Sequence, residues 1–435
     1  MGIKFRYWYR LTKAFLVRFR GILFVGVIAG LLLFSLARYF LPQLTSASAV
    51  IGMTGRYHIE ELPNSVLSQI GEGLTKLDEE GKVVPALAKS WEASENGKVW
   101  TFHLNTDIKW HDGSSIKSSD IQYLFEDAQI ERPDPETIVF KLTAPFAPFP
   151  VVASRPVFKQ GLIGTGEWRV TKVGLKEGYV EKLVLQNNED QKKVLMFFPS
   201  EDSTKLAFEL GKVDQITDIL DPKPFDNWKT VLVTEKTNYD RFVAVFFNNG
   251  TEMFANNKTL RQALSYAIDK QSFGFTRAIG PISPNSWAFN PQVKDYAFDP
   301  ARAKQLLGKG QESITLTTSP LLLPIAENVA GYWRDIGVEV NVQAVSILPN
   351  EYQAFLAIYN IPLDPDQYSI WHSTQTETNI SHLNNPRIDK LLEDGRLELN
   401  EQNREKIYLD FQRFLLEEAP AVFLYHPVSY TITRK

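Results

Sequence analysis

Short β-rich segments dominate residues 50–184, where alternating or β-branched runs are separated by Gly, Asn, Asp and Pro. The strands predicted from them are 99–104, 137–142, 167–173 and 182–186. The segment 118–128 differs, because Ile121, Leu124 and Phe125 keep helical spacing after two serines that suit an N-cap. We predict a β-rich first half with one helix at 118–128.

Strands and helices alternate after residue 237. The predicted elements are strand 241–248, helices 259–270 and 299–308, strand 314–318, helix 325–336, strand 338–345, helix 400–418 and strand 421–427. The order of strand, helix and strand between 314 and 345 is that of a βαβ unit. A parallel or mixed sheet is therefore expected in this second half.

An uncharged apolar run, 21–37, stands between Arg20 and Arg38 near the start of the chain. Its 17 residues match the lower limit of a membrane-spanning helix, about 17–25 residues. Six of the seven basic residues in the first 38 positions precede it, which predicts a cytoplasmic N-terminus and a body outside the cell membrane. A signal peptide cleaved near 46–49 is the alternative, although that site lies well beyond the end of the run.

Composition excludes several classes of protein. The 435 residues are 44% hydrophobic and 23% charged, which is typical of a folded protein of two or three domains. After residue 38 the chain holds all 51 acidic residues but only 40 of the 47 basic ones, which argues against nucleic-acid binding. No cysteine is present, so disulfides, thiol nucleophiles and thiolate metal sites are excluded.

No catalytic motif stands out. Nucleophile elbows, zinc-helix pairs and phosphate loops are missing, and no two of the six histidines have helical i, i+4 spacing. The acidic pair in "LDPDQYSIWHST", Asp364 and Asp366, has two chemical interpretations: a metal site with His372 and His382, or a glycosidase acid pair. Neither has support from spacing, so we predict no catalytic residue, no metal and no cofactor.

Aromatic residues make up 12% of the chain, and most are expected in the core. Trp287 stands in a loop rich in Pro, Ser and Asn, and Tyr368 and Trp371 follow the acidic pair. Aromatic side chains in such places suit the wall of a ligand cleft. For Trp371 a core position and a cleft position are both open.

Six segments in register resemble one family, the oligopeptide-, dipeptide- and nickel-binding proteins that serve ABC importers (extracellular solute-binding proteins, family 5). They are "GEGLTKLDEEGKVVPALAKSWEASENGKVWTFHLNTDIKWHDGSSIKSSDIQYLF", "LRQALSYAIDK", "DPARAKQLL", "YWRDIGVEVNVQ", "DPDQYSIW" and "NNPRIDKLLEDG", the last followed by "EEAPAVFLYHP". Together they span nearly all of 55–430.

The resemblance implies a two-lobed α/β fold of the periplasmic-binding-protein type, with mixed sheets, that encloses a small solute, in the first instance an oligopeptide, by hinge closure. The predicted division is 1–20 cytoplasmic, 21–37 transmembrane, 38–50 linker, 51–243 lobe one, 244–418 lobe two and 419–435 a return to lobe one. A monomer that delivers its solute to an ABC permease is expected. The candidate ligand-binding residues are Glu72, Leu74, Trp287, Tyr359, Ile361, Asp364, Tyr368 and Trp371.

The chain departs from the family pattern in three respects. Lobe one is shortened between residue 128 and the strand at 137, and anchoring is by a helix rather than by a lipid on cysteine. Peptide-binding relatives place an acid three residues before "DPD" to hold the ligand's α-ammonium, whereas Ile361 stands here. Asp366 then serves as the cap of the following helix, and Asp364 as a turn residue.

A second function remains open on the same fold. A helix-anchored, shortened member could be a surface sensor or interaction module with no part in transport. Genes for a permease and an ATPase beside this one would favour import, and their absence would favour the sensor.

Overall fold

The computed structural model describes residues 49–125, 127–308, 312–347 and 351–435, together with positions 13, 18, 19, 21 and 30. The predicted membrane-spanning helix, 21–37, falls outside the described residues except for Gly21 and Gly30, so it stays a prediction. Within the described ranges, no helix has both the length and the apolar character needed to cross a bilayer.

The strands of the described ranges are numbered β1 to β18 in chain order. They are β1 Ala49–Thr54, β2 Thr75–Leu77, β3 Val83–Pro85, β4 Ala88–Ser94, β5 Val99–Leu104, β6 Ala128–Asp134, β7 Thr137–Leu142, β8 Arg169–Lys176, β9 Tyr179–Gln186, β10 Lys192–Phe198, β11 Gln215–Ile219, β12 Val231–Thr237, β13 Arg241–Phe247, β14 Ser313–Thr318, β15 Glu339–Ala344, β16 Ala354–Asn360, β17 Ala421–Tyr425 and β18 Val428–Arg434.

The α-helices of the described ranges are numbered in the same way. They are α1 Asn64–Ile70, α2 Phe149–Val152, α3 Glu201–Glu209, α4 Glu252–Ala255, α5 Lys258–Ala267, α6 Pro300–Leu307, α7 Leu323–Asp335, α8 Tyr368–Trp371, α9 Pro386–Leu397 and α10 Glu401–Glu418.

A seven-stranded mixed sheet has the strand order β12-β18-β11-β1-β10-β9-β8. β1 lies parallel to β10 and β11, whereas the other neighbours pair antiparallel. Alternate residues of β10 point to opposite faces, as the pleat of a strand requires. Leu195 and Phe197 pack in the core that contains α1, while Met196 and Phe198 pack against the core that contains α3.

An antiparallel four-stranded sheet, β4-β5-β7-β6, and the small hairpin β2–β3 complete the first half of the chain. Their core is aromatic: Phe102, Phe140 and Phe149 have ring centroids 4.9–6.1 Å apart. Such edge-on and tilted contacts stabilise a core beyond its buried area.

A five-stranded mixed sheet, β15-β14-β16-β13-β17, organises the second half. β14 runs parallel to β15 and β16, whereas β13 pairs antiparallel with β16 and β17. β13 is buried on both faces: Val243, Val245 and Phe247 face the core with α5 and α7, and Phe242 and Phe246 face the core with α10. This double burial explains its continuous apolar sequence.

The chain passes between the two large sheets twice. β12 leads into β13 through 238–240, and β17 leads into β18 through His426 and Pro427. The N–H of Asn238 donates to the carbonyl of Pro427 at 2.9 Å, which ties the two crossing segments together. β17 pairs with β13, and the chain joins the seven-stranded sheet at β18.

Most predicted elements are confirmed. β5 and β7 have the predicted bounds, and the unit β14–α7–β15 is a parallel βαβ unit. The caps of α6 are also as predicted, since the side chain of Asp299 accepts the N–H of Arg302 and Gly308 closes the helix.

The predicted helix 118–128 is wrong. Among the described residues of this segment, the only helical structure before β6 begins at Ala128 is a short 3₁₀ turn, Ser118–Asp120. Ile121 and Tyr123 are buried while Leu124 is fully exposed, which is the alternation of an extended chain. The Tyr123 hydroxyl donates to the carbonyl of Ala153 at 2.8 Å. Tertiary contacts therefore override a weak helical pattern.

Candidate functional site

A cavity of about 410 Å³ lies where the crossing segment 238–240 meets elements of both halves of the chain. Its walls come from the loop after β2, from the end of β12 and the residues that follow, from loop residues 282–286 and from the segment 361–367. We call it the junction cavity. Its volume is within the range of small-ligand sites, about 300–1,000 Å³.

The β2–β3 hairpin touches the second half of the chain beside this cavity. The N–H of Trp287 donates to the carbonyl of Glu80 at 3.0 Å, and the Lys82 ammonium lies 3.9 Å from the carboxylate of Glu401. Gly81, at the tip of the hairpin, has a φ of +74°, which favours glycine. The hairpin thus forms one side of the junction cavity.

A buried ion pair holds the segment 361–367 in place. The guanidinium of Arg404 on α10 binds both carboxylate oxygens of Asp364, at 2.9 and 2.5 Å, and both side chains are less than a tenth exposed. Burial alone would lower the pKa of Arg404, but the Asp364 carboxylate more than offsets this and the pKa stays above its ordinary value. Asp364 thus ties to α10 the backbone between Leu363 and Pro365, which both line the cavity.

Asp366 also has an arginine partner. Its Oδ2 accepts from Nε of Arg396 on α9 at 2.8 Å, and its Oδ1 accepts from the N–H of Tyr368 at 3.0 Å. The second contact is the predicted capping role, although Gln367 is the residue at the N-cap of α8. The guanidinium of Arg396 also stacks 4.1 Å from the ring centre of Tyr368. Both carboxylates are therefore occupied by protein groups.

Two amide side chains on the cavity wall have buried atoms without hydrogen-bond partners among the described residues. Gln367 is fully buried, and neither its Oε1 nor its Nε2 has a partner; the same holds for Nδ2 of Asn238. An unsatisfied buried polar group costs about 1–3 kcal/mol. In a site that binds a polar ligand, hydrogen bonds from the ligand to these atoms offset this cost.

Acidic residues outnumber basic ones on the wall of the junction cavity. Asp78, Glu79 and Asp240 line it together with a single cation, Lys236. Oδ1 of Asp78 accepts the N–H groups of Glu80 and Lys82 and shapes the hairpin turn. The wall therefore carries a net formal charge of −2 at pH 7.

The predicted site residues fall into separate places. Ile361 lines the junction cavity. Tyr359 stacks on Phe242 with ring centroids 5.9 Å apart and shares a shallow neighbouring cavity with Ile361. Trp287 and Asp364 line an adjoining cavity of about 200 Å³.

The other four predicted residues line none of these three cavities. Leu74 is fully buried in the aromatic core of the first half, and Trp371 is 1% exposed, packed against other aromatic rings. The Glu72 carboxylate lies 3.7 Å from the Lys76 ammonium. Tyr368 stacks on His372 with ring centroids 4.0 Å apart. For Trp371, the structure favours the core position that the sequence left open.

Sequence reasoning missed Asn238, Asp240 and Gln367. Gln367 directly follows the acidic pair, but no motif separates a cavity glutamine from a helix-cap neighbour. Asn238 and Asp240 stand between two strands, where polar residues are also common in turns. Only the crossing of the chain between the two sheets brings them together.

The considered metal site with His372 and His382 does not form. Asp364 and Asp366 are bound by arginines, and Nε2 of His372 lies 3.4 Å from Glu393. In the part of the chain that the structure describes, no group of three or more His, Asp or Glu side chains is placed to hold a metal ion.

Comparison with known proteins agrees with this architecture. The model of the bacterial extracellular solute-binding proteins, family 5 Middle, matches residues 82–379. The dipeptide-binding protein of Escherichia coli K12 is 23% identical over 81% of this chain and 83% of its own. The heme-binding protein A of Haemophilus influenzae is also 23% identical, over 80% of each chain.

Solved structures share the fold. NikZ from Campylobacter jejuni, in complex with Ni(L-His), has a TM-score of 0.70 at 23% identity and covers 89% of this chain and 94% of that one. The substrate-binding protein CtaP from Listeria monocytogenes has a TM-score of 0.74 at 20% identity, with the same coverage. The names of these similar proteins mention dissimilar ligands, so the ligand has to be argued from the cavity itself.

The two mixed sheets, the paired crossing segments and the cavity between them define a binding protein of the periplasmic-binding-protein type. The chain belongs to family 5 of the bacterial extracellular solute-binding proteins, which confirms the resemblance drawn from its motifs. Members of this family bind solutes and do not catalyse, so the protein is not an enzyme.

Proposed function

We propose that the protein is a membrane-anchored, extracytoplasmic solute-binding protein that captures a peptide-like or other elongated solute in the junction cavity and delivers it to an ABC importer. The observation that carries this proposal is a cavity between two sheets, lined by two amide side chains with buried atoms that lack partners among the described residues. Such groups suit a ligand that both donates and accepts hydrogen bonds, as a peptide backbone does.

The two crossing segments are the proposed hinge. Among the described residues, only 238–240 and His426–Pro427 connect the two large sheets along the chain, so a change of backbone angles there would open the cavity without unfolding either half. The proposed lobe one is 51–243 with a C-terminal return from 419, and the proposed lobe two is 244–418. Anchoring by 21–37, with the N-terminus cytoplasmic, completes the proposal.

We propose different roles for the predicted site residues. Ile361 faces the ligand, and Tyr359, Trp287 and Tyr368 lie beside it. Asp364 positions the wall through Arg404. Glu72, Leu74 and Trp371 act through the fold around the cavity.

Calorimetric titration of the full chain in mild detergent with a panel of di- to pentapeptides tests the capture step. Asn285→Trp would fill the junction cavity, because Asn285 lines it and is exposed, and should weaken binding at least about tenfold by steric exclusion. Asn188→Trp, in the exposed turn between β9 and β10, is the matched control and should bind like the unaltered protein. Equal binding by both variants would refute the site.

Uptake of a bound peptide by host cells tests delivery. Loss of uptake on deletion of the gene, restored by the unaltered protein but not by Asn285→Trp, is the expected result. Tight binding in the cavity without any effect on uptake would instead support a surface sensor on the same fold.

A further inference from the structure

The junction cavity has an acidic wall, which bears on the class of solute that it binds. The inference drawn from this wall rests on the proposed function. Three carboxylates and one ammonium line it. Within the described ranges, neither Glu79 nor Asp240 lies within ion-pair distance of a basic group of the protein. Their charge is therefore free to act on whatever enters the cavity.

Asp240 has a defined place beside the uncharged position Ile361. The carbonyl of Asp240 accepts the N–H of Ile361 at 2.7 Å, because Asp240 precedes β13 and Ile361 follows β16. These strands are antiparallel neighbours, with Arg241 opposite Asn360. The carboxylate of Asp240 is exposed and belongs to the cavity wall. A negative charge thus stands one strand away from the position that lacks one.

Glu79 approaches from the other half of the chain. It lies in the β2–β3 loop, is exposed and lines the same cavity as Asp240. A cationic group between them would meet one carboxylate from each half. Closing the cavity around such a group reduces the repulsion between the two carboxylates, whereas closing it around an anion increases that repulsion.

The buried amides are a second, independent sign of a ligand. Gln367 and Asn238 line the cavity, but their unpartnered atoms touch almost no solvent. Gln367 offers both a donor and an acceptor, which matches the alternating N–H and C=O groups of a peptide.

We propose that the junction cavity selects oligopeptides of net positive charge. Asp240 and Glu79 are the specificity-determining residues, and Gln367 and Asn238 hydrogen-bond to the peptide groups. Lys236 lies on the same wall and limits how much positive charge the ligand carries.

The test uses the full chain in mild detergent and three pentapeptides blocked at both ends, identical except for Lys, Gln or Glu at the centre. The Lys peptide should bind about threefold to tenfold more tightly than the Gln peptide, since exposed ion pairs are individually weak and two are available. The Glu peptide should bind most weakly. The preference should shrink as salt is raised from about 50 to about 500 mM, because these carboxylates are exposed.

Asp240→Asn keeps the shape of the side chain and removes its charge. It should reduce the ratio of Lys-peptide to Gln-peptide affinity about threefold. Asp335→Asn, at the exposed end of α7 and outside the cavity wall, is the matched control and should keep the full ratio.

A parallel titration with lysinamide separates this inference from the proposed function. Equal binding of all three peptides, insensitive to Asp240→Asn, would overturn the charge selectivity and leave peptide capture standing. Binding of lysinamide but of no peptide, lost in Asp240→Asn, would overturn peptide capture and support the acidic site. If neither lysinamide nor any of the three peptides binds, both the charge selectivity and peptide capture would be overturned.

Discussion

The buried ion pair between Asp364 and Arg404 supports the wall of the junction cavity, and its removal gives a sharp test of that role. Both side chains are less than a tenth exposed, and the contact is bidentate. Arg404 also donates from Nε to the carbonyl of Gly395 at 2.8 Å and from Nη2 to the hydroxyl of Tyr408 at 3.2 Å. Asp364→Ala therefore leaves a buried guanidinium without its counter-charge.

The expected loss is large because the cost of burying a charge is no longer offset. Breaking a buried pair by removing one partner destabilises a protein by about 3–5 kcal/mol. Replacing both partners by apolar residues, as in Asp364→Leu with Arg404→Met, removes the charge as well and should be much milder than either single change. A double variant that is more stable than either single variant is the result expected of a buried pair and not of a surface pair.

Urea unfolding of the full chain, followed by tryptophan fluorescence, measures the effect, and the same helix provides a matched control. Asp410 and Arg413 on α10 form an ion pair at 2.8 Å with both side chains about half exposed. Asp410→Ala should cost no more than about 1 kcal/mol. If Asp364→Ala were as mild as Asp410→Ala, or if the double change were the most destabilising, the structural role of the pair in the wall would be refuted.

Three further predictions concern the cavity and the backbone around it. Gln367→Leu removes an unsatisfied amide, so it should leave the stability of the empty protein unchanged or raise it by about 1–2 kcal/mol in urea unfolding. The same variant should weaken peptide binding about tenfold. Asn379→Leu removes a buried amide that has partners and should instead destabilise the protein by about 1–3 kcal/mol. N-acetylation of a free-amine peptide that binds should weaken its affinity, measured by calorimetry, no more than about fivefold, because Ile361 offers no enclosed counter-charge to the ammonium. A loss of about a hundredfold or more would contradict the assignment of Ile361 as an uncharged position of the site. Gly164→Ala should destabilise the protein by about 1–3 kcal/mol in thermal unfolding, because the added Cβ would clash with the last carbonyl of α1. Gly331→Ala in α7 has open space around the new Cβ and should stabilise the protein by up to about 1 kcal/mol. Equal effects of the two variants would show that the close approach at Gly164 is relieved without cost.

Local patterns in the sequence were sufficient where burial follows a simple period. The apolar run of β13 and the caps of α6 predict their elements because the same residues that form the element also bury it. The segment 118–128 failed for the opposite reason. Its alternating burial depends on Tyr123, whose hydroxyl binds the distant carbonyl of Ala153.

The wall of the junction cavity lay beyond the reach of local patterns. The sequence identified "DPDQYSIW" as a marker and treated its aspartates as turn and cap residues, which agrees with the contacts of Asp366. It did not provide their partners, Arg396 and Arg404, since these stand 30 and 40 residues away on two other helices. Asp240 and Ile361 become neighbours only through the pairing of β13 with β16.

Native mass spectrometry of the full chain, purified from its own host, tests the central claim most directly. We predict a single bound solute per chain that fragments as a peptide, is retained by Asp335→Asn and is lost or exchanged in Asn285→Trp. A chain that carries no solute, or one that retains the same solute after Asn285→Trp, would contradict capture in the junction cavity.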